Sequence, residues 1–161
     1  MANATAILST LAGHDVDYLV AGGYAVQVHG HVRTTRDLDI IPNPGVRNMR
    51  RVAAALAELE AVAIDEDGGE VPIDLSEPEL LAVGDYFLGT RAGALDLVNG
   101  TRPDLKRYLR LEARSLRLEV AGHAIRFVGR DDLIAMKREA GRPQDLRDIA
   151  ALDEVQRRER G

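Results

Sequence analysis

Cysteine is absent from the sequence, which excludes disulfide bonds, cysteine-ligated zinc, iron–sulfur clusters and thiol nucleophiles. Any bound metal ion would therefore be held by oxygen or imidazole ligands. Tryptophan is also absent, and aromatic residues make up only 4% of the chain. This scarcity argues against an aromatic stacking surface for single-stranded nucleic acid.

Long apolar runs are missing as well. No stretch approaches the roughly 18 consecutive apolar residues of a membrane span, and residues 1–13 lack the basic start and apolar core of a signal peptide. We therefore expect a cytoplasmic protein without membrane association. The 161 residues are enough for one domain with a substantial core, so we expect catalysis and substrate binding to share one domain over residues 1–161.

Charge is unevenly distributed along the chain. The net charge is −5, but Glu58–Asp85 contains ten acidic residues and no Lys or Arg, so the rest of the chain carries +5. Within this stretch, Asp65–Glu79 has two adjacent glycines and two prolines, which predict a long exposed loop. A later segment is rich in basic residues and favours RNA as a partner: Arg102, Lys106, Arg107, Arg110, Arg114 and Arg117.

Apolar periodicity and turn residues predict interleaved helices and strands. The expected helices cover about 3–12, 24–29, 45–60, 130–140 and 143–157. The expected strands cover about 16–21, 37–41, 85–90, 94–98, 115–120 and 123–128, the last two forming a hairpin. This pattern indicates a mixed α/β or α+β fold, with a catalytic sheet over about 14–100 followed by the hairpin and C-terminal helices over about 101–161.

Two carboxylates are the first sign of chemistry. Asp37 and Asp39 are two residues apart on a predicted strand, so both project from one side of it while Leu38 and Ile40 face the core. A polar strand face could carry aspartate twice by chance, but aspartate is disfavoured in strands. A divalent cation would relieve their repulsion, and oxygen ligands favour Mg²⁺ or Mn²⁺.

Asp96 adds a third carboxylate in a similar setting, between Leu95 and Leu97 of a short apolar strand. Alone it could be a hydrogen-bonded residue of an edge strand. Together, the three aspartates are typical of a two-metal site, in which the ions stabilise the attacking and leaving oxygens of a phosphoryl or nucleotidyl transfer.

Gly22 and Gly23 follow a predicted strand and precede a predicted helix. Glycine lets the backbone approach a ligand closely, and free N–H groups at a helix start bind anions. Most Gly-Gly pairs are simply turns. The position of this pair, one strand before Asp37-Leu-Asp39, is what favours a phosphate site.

Residues 19–26, His29-Gly30 and residues 33–40 together resemble the signature of the minimal nucleotidyltransferase fold, in the polymerase-beta-like superfamily. That signature is an apolar strand, Gly-Gly or Gly-Ser, a spacer and then Asp-x-Asp, and Asp96 matches the third carboxylate of the family. The Arg-x-Thr-x-Asp sequence at 33–37 and the tail at 133–148 resemble the branch of abortive-infection type IV toxins.

The resemblance implies a small mixed sheet flanked by helices and transfer of NMP from an NTP to an acceptor hydroxyl, with release of pyrophosphate. It implies two Mg²⁺ or Mn²⁺ ions held by three catalytic residues: Asp37, Asp39 and Asp96. It also implies that six residues bind the nucleotide: Gly22, Gly23, Tyr24, Arg33, Lys137 and Asp145. Many members have serine after the glycine, where this chain has Gly23 followed by Tyr24, so the backbone amides remain but that hydroxyl is missing.

Lys137 and Asp145 are also unusual by position. Lys137 shares a helix face with Leu133 and Ile134, and a buried lysine needs a partner, for which a triphosphate or Asp145 would serve. Alternatively, Lys137 reaches solvent from the domain edge, and Asp145 is simply a favourable charge in the first turn of a helix.

Several functions stay open at this point. The toxin-like branch implies an acceptor that is tRNA or a protein side chain, together with a cognate antitoxin, and a homo-oligomer is a further expectation. An antibiotic-modifying nucleotidyltransferase would carry the same motifs. A non-catalytic nucleotide-binding module of this fold is another alternative, and a phosphatase built on Asp-x-Asp is a more distant one.

Overall fold

The computed structural model describes residues 2–161, which contain one eight-stranded sheet and six α-helices. The helices are α1 (Ala4–Gly13), α2 (Gly22–Val28), α3 (Val46–Glu58), α4 (Leu105–Ala113), α5 (Arg130–Ala140) and α6 (Pro143–Arg160). The strands are β1 (Tyr18–Val20), β2 (Asp37–Pro42), β3 (Val62–Ile64), β4 (Glu70–Val71), β5 (Tyr86–Thr90), β6 (Gly93–Leu97), β7 (Leu116–Val120) and β8 (His123–Phe127). A 3₁₀ helix covers Pro78–Ala82.

The sheet is mixed, with the strand order β4-β3-β5-β6-β2-β1-β8-β7. Strand β2 runs parallel to β6 and antiparallel to β1, and β1 runs parallel to β8, where Val20 lies opposite Phe127. The prediction of an α+β fold with a mixed sheet is therefore confirmed. The predicted hairpin forms as β7 and β8 and extends the same sheet that carries Asp37 and Asp39.

The core is built from the alternating apolar residues of the strands and from the helices packed on them. Leu38 and Ile40 of β2 are fully buried, whereas Asp37 is exposed and Asp39 is half-buried. Helices α1 and α3 contact each other and pack against β8 and β2, respectively. Helix α2 contacts β2 and α5, and α5 contacts α6. The polar residues of β2 thus face away from the core.

Two parts of the chain differ from the prediction. The basic segment contains α4, which begins after Asp104 and buries Tyr108 and Leu111. The stretch Asp65–Glu79 is largely exposed but is not a plain loop, because β4 pairs with β3 and the turn between them is held by the Asp65 carboxylate, which accepts from the N–H of Gly69.

None of the helices within residues 2–161 combines the length and the apolar character needed to cross a bilayer.

Candidate active site

The parallel pairing of β2 and β6 brings two of the predicted carboxylates together. Asp39 lies directly opposite Asp96 in this register, and their carboxyl groups are close enough for a hydrogen bond between them. A hydrogen bond between two carboxyl groups needs a proton on one of them. In the absence of a cation, Asp39 and Asp96 therefore share a proton.

The titration of this pair follows from burial and from like charge. Burial, followed by the negative charges of Asp39 and Asp37, raises the pKa of Asp96 to about 8. Burial also raises the pKa of Asp39, and the charge of Asp37 adds to this, while the cationic side chains of Lys137 and Arg142 oppose it. The nearby cationic side chains therefore do not neutralise the negative charge of Asp39 and Asp96.

This donor set fits a hard divalent ion that is completed by its substrate. Mg²⁺ is usually bound by one or two carboxylates together with water and substrate phosphates, and Asp39 and Asp96 provide such a pair. Asp37 is near enough to act on both of them. Across residues 2–161, however, no three or more acidic or imidazole side chains are gathered into a ready metal cluster.

Gly22 and Gly23 each lack space for a side chain, for different structural reasons. Gly22 has φ +59, and a Cβ atom at this position would overlap the carboxylate of Asp39, so only glycine lets Asp39 come this close to the backbone. A Cβ atom on Gly23 would lie 2.6 Å from Thr35 Oγ1 and 3.2 Å from Arg33 Nη1. The Thr35 hydroxyl thus occupies the space that a side chain at position 23 would take.

Lys137 is buried and paired with two carboxylates. Its Nζ lies 2.8 Å from Asp148 Oδ2 and 3.3 Å from Asp145 Oδ1, and only 6% of the residue is exposed. The fully buried Asp148 also accepts hydrogen bonds from Arg33 Nε at 2.8 Å and Nη2 at 2.9 Å. Asp148 therefore joins α6 to α5 and to the segment before β2.

Asp145 is bound at the start of α6. Its carboxylate accepts from Arg142 Nε at 2.7 Å and from the Arg142 backbone N–H at 3.2 Å. Burial alone would raise the pKa of Asp145, but the hydrogen bonds from Arg142 and Lys137 lower it. In the same way, hydrogen bonds from Arg33, Lys137 and Gln144 overcome burial and lower the pKa of Asp148 to about 2. Both carboxylates are charged, and they hold the cations in place.

The predicted site residues converge on one open cavity of about 670 Å³. Eight of the nine line it: Gly22, Gly23, Arg33, Asp37, Asp39, Asp96, Lys137 and Asp145. The exception is Tyr24, whose half-buried ring packs against the core instead, because the first turn of α2 directs it there. Among the described residues, none of the basic side chains of segment 102–117 borders this cavity, so that segment gives no support to RNA binding at this site.

Sequence reasoning missed Asp148, Thr35 and Phe87. Asp148 had a visible signal, because it lies on the same face of α6 as Asp145 and Leu152, and a charged residue on a buried face needs partners. Thr35 is half-buried and Phe87 lines the cavity from β5. The position of Thr35 depends on how the segment before β2 folds, and that of Phe87 depends on the pairing of β5 with β6. The local sequence specifies neither.

Comparison with known proteins identifies related sequences and folds. Residues 2–157 match the model of the family described as "Nucleotidyltransferase of unknown function (DUF6036)". Curated protein sequences gave no significant match. The fold is similar to that of the lincosamide antibiotic adenylyltransferase LnuA in its lincomycin-bound structure, with a TM-score of 0.61 and 15% identity over 92% of this chain and 93% of that one. It is also similar to an antigenic nucleotidyltransferase-like protein from Paracoccidioides brasiliensis, with a TM-score of 0.50 and 15% identity over 94% and 77% of the two chains.

Proposed function

Because the chain belongs to this family of nucleotidyltransferases of unknown function, we propose that it transfers NMP from an NTP to an acceptor hydroxyl and releases pyrophosphate. The observation that carries this proposal is the pairing of Asp39 with Asp96 on adjacent parallel strands, beside Gly22 and within one cavity. Two half-buried carboxylates in contact are unfavourable for folding alone, so their placement is best explained by ligands that the site binds.

The carboxylates have separate tasks in the proposed reaction. Asp37, Asp39 and Asp96 would hold Mg²⁺ or Mn²⁺, which when bound stabilises charge on the phosphate and acidifies a nearby hydroxyl. The acceptor oxygen forms a bond to the α-phosphorus, and the bond from that phosphorus to the bridging oxygen breaks. Asp96, deprotonated beside the bound ion, would take the hydroxyl proton.

The opposite side of the cavity would bind the triphosphate. Gly22 and Gly23 line it with backbone, and the Arg33 guanidinium and Thr35 hydroxyl lie over Gly23. Lys137 is held in place by Asp148 and adds a second cation. Fixed cations and N–H groups of this kind stabilise the charge that develops on departing pyrophosphate.

An apolar wall is available for the nucleoside. Leu133, Met136 and Ala140 of α5 line the cavity next to Lys137. These side chains offer no hydrogen bonds that would distinguish one base from another, so we expect the wall to bind the nucleoside mainly through apolar contact.

Two acceptor classes have specific support. A toxin acting on tRNA or a protein side chain, with a cognate antitoxin, is supported by the resemblance of residues 33–37 and 133–148 to that branch. An antibiotic-modifying enzyme is supported by the fold shared with the lincosamide adenylyltransferase.

The test is label transfer from [α-³²P]NTPs in the presence of Mg²⁺. We expect Asp39→Asn to lower transfer by at least about a thousandfold, because several kcal/mol of transition-state stabilisation would be lost. Asp67→Asn is the matched control, since Asp67 is exposed in the turn between β3 and β4. Circular dichroism would verify that both variants fold.

Two results would contradict the proposal. Transfer by Asp39→Asn at the wild-type rate would remove the carboxylate pair from the reaction. Calorimetric binding of an NTP with Mg²⁺, but no turnover with any acceptor, would show instead that the chain is a non-catalytic nucleotide-binding module.

A further inference from the structure

Phe87 is an aromatic residue that the core does not use. It lies on β5, an interior strand with β3 on one side and β6 on the other, yet 59% of its surface is exposed. The next residue, Leu88, is buried in the core, so the alternation of the strand turns Phe87 to the opposite face. There it lines the cavity, together with Asp85 and Val98.

The strand register places Phe87 in line with the two paired carboxylates. Phe87 lies opposite Asp96 on β6, and Asp96 lies opposite Asp39 on β2. Side chains opposite each other on neighbouring strands are about 5 Å apart and face the same side of the sheet. The order across the cavity floor is therefore Phe87, Asp96, Asp39 and then Gly22, which contacts Asp39.

This order indicates at which end of the cavity floor each reactant would bind. In an in-line displacement, the attacking and leaving oxygens lie on opposite sides of the phosphorus. With the triphosphate on the side of Gly22, Gly23 and Arg33, the acceptor must approach from the side of Asp96. The part of the acceptor that extends beyond its reacting hydroxyl then lies over Phe87.

The charge of the cavity differs between these two sides. Its cationic side chains, Arg33, Arg36, Lys137 and Arg142, all come from the segment before β2 or from α5 and the start of α6. The wall around Phe87 contributes Val98 and the carboxylate of Asp85, which accepts one hydrogen bond from the Gly100 N–H at 2.9 Å.

The part of the chain beyond that wall is also acidic, mainly in the segments that connect its strands. Strands β3 and β4 continue the sheet past β5, and they belong to the stretch Glu58–Asp85, which has no Lys or Arg. A polyphosphate chain approaching from this side would meet the Asp85 carboxylate and an excess of negative charge, which raises its energy and slows its association. An uncharged or cationic acceptor would not meet that barrier.

We propose that Phe87 is the specificity-determining platform for the acceptor, and that the acceptor is an uncharged or cationic small molecule whose ring packs on the Phe87 side chain. This inference rests on the proposed nucleotidyl transfer and adds the class of acceptor to it. An aromatic face attracts sugar or aromatic rings through apolar contact and attracts cationic groups through its electron-rich surface.

The experiment compares Phe87→Ala, Phe87→Tyr and the control Leu109→Ala, which truncates an exposed apolar residue of α4 outside the cavity. Each protein is incubated with Mg²⁺, [α-³²P]NTPs and a cell extract separated into an ultrafiltrate of small molecules, an RNA fraction and a protein fraction. We expect wild-type enzyme to label the ultrafiltrate. Phe87→Ala should lower that labelling at least about tenfold at limiting extract, while Phe87→Tyr and Leu109→Ala stay within about threefold of wild type.

The kinetic parameters identify which reactant Phe87 contacts. In the label-transfer reaction at saturating acceptor, Phe87→Ala should keep the wild-type KM for the NTP. A raised KM for the NTP would instead place the nucleoside on Phe87 and overturn the proposal. Labelling of RNA or protein by wild-type enzyme would overturn the acceptor class, and unchanged labelling by Phe87→Ala would overturn the platform. Absence of label from all three fractions would refute the nucleotidyl transfer itself.

Discussion

At the scale of single residues, the pairing of the carboxylates of Asp39 and Asp96 has a cost to folding. Each is half-buried, and they are close enough that only one can be charged without a cation. Functional sites often keep such destabilising arrangements, because the groups that create them perform the chemistry. Stability and activity should therefore respond in opposite directions to the removal of one charge.

The variant Asp96→Asn should demonstrate this opposition. In metal-free buffer at pH 8, we expect the free energy of unfolding to rise by on the order of 1 kcal/mol, because the amide keeps a hydrogen bond to Asp39 without a second charge. Nucleotidyl transfer should be lost. Urea unfolding with EDTA present provides the measurement, and a less stable Asp96→Asn would contradict the origin assigned to the pKa shift.

The stability of the metal-free protein should also depend on pH, in a direction set by the raised pKa of Asp96. An unfolded aspartate releases its proton near pH 4, whereas native Asp96 keeps its proton until about pH 8. Between these values the folded state binds more protons, so the stability of the metal-free wild type should fall as pH rises through this window. The decline should be shallower in Asp96→Asn.

Individual residues also show how far the sequence predicts the site. Asp37, Asp39 and Asp96 stand out because aspartate is rare within apolar strands, and the strand register places Asp39 opposite Asp96. Tyr24 packs against the core and does not line the cavity, because the direction of a side chain in the first turn of α2 depends on packing. Phe87 gave no signal, since its exposure is set by the register of β5 on β6.

At the scale of secondary structure, the longest apolar patterns were predicted best. Helices α3, α5 and α6 and the β7–β8 hairpin lie where periodicity placed them. Helix α4 was missed although Leu105, Tyr108 and Leu109 have helical spacing, because its basic residues were interpreted as a surface patch. Strands β3 and β4 have only three and two residues, which is too short for alternation to be visible.

The junction of α5, α6 and the segment before β2 depends on Asp148. We expect Asp148→Asn to lower the free energy of unfolding by about 3 kcal/mol, because Lys137 and Arg33 lose a buried negative partner. Asp153→Asn, on the same helix but outside this network, should change stability by less than about 0.5 kcal/mol. Urea unfolding at pH 7 provides the comparison.

The loss of stability at low pH tests the role of the Asp148 carboxylate. The pKa of native Asp148 is about 2, below the value of about 4 for an unfolded aspartate. Its contribution is therefore complete above pH 4 and is lost as pH falls toward 2, where the unfolded state binds more protons. Asp148→Asn should lose less stability over this interval than wild type, and equal losses would contradict the assignment.

At the scale of the whole molecule, the cavity lies between elements that are distant in sequence. One wall comes from β2, β5 and β6 and the other from α5 and the start of α6. A ligand that contacts both walls should hold them together. Binding should therefore be visible in global unfolding as well as in local contacts.

This linkage predicts the thermal response to substrate. With Mg²⁺ and a non-hydrolysable NTP analogue at about one hundred times its Kd, the stabilisation is about 2.7 kcal/mol, which corresponds to a rise in Tm of roughly 5–10 °C for a chain of this size. Differential scanning calorimetry measures the shift. Asp39→Asn should show a much smaller one, and an equal shift in that variant would mean that the analogue binds elsewhere.

The pairing of β1 with β8 has a consequence for biosynthesis. Strand β1 leaves the ribosome before its parallel partner β8, which begins at residue 123, and Lys137 and Asp148 follow later still. A nascent chain that already contains Asp37, Asp39 and Asp96 still lacks a neighbouring strand and the buried lysine. The cavity should thus form only after α6 has been synthesised, so a chain that ends before Asp148 should not bind the proposed nucleotide.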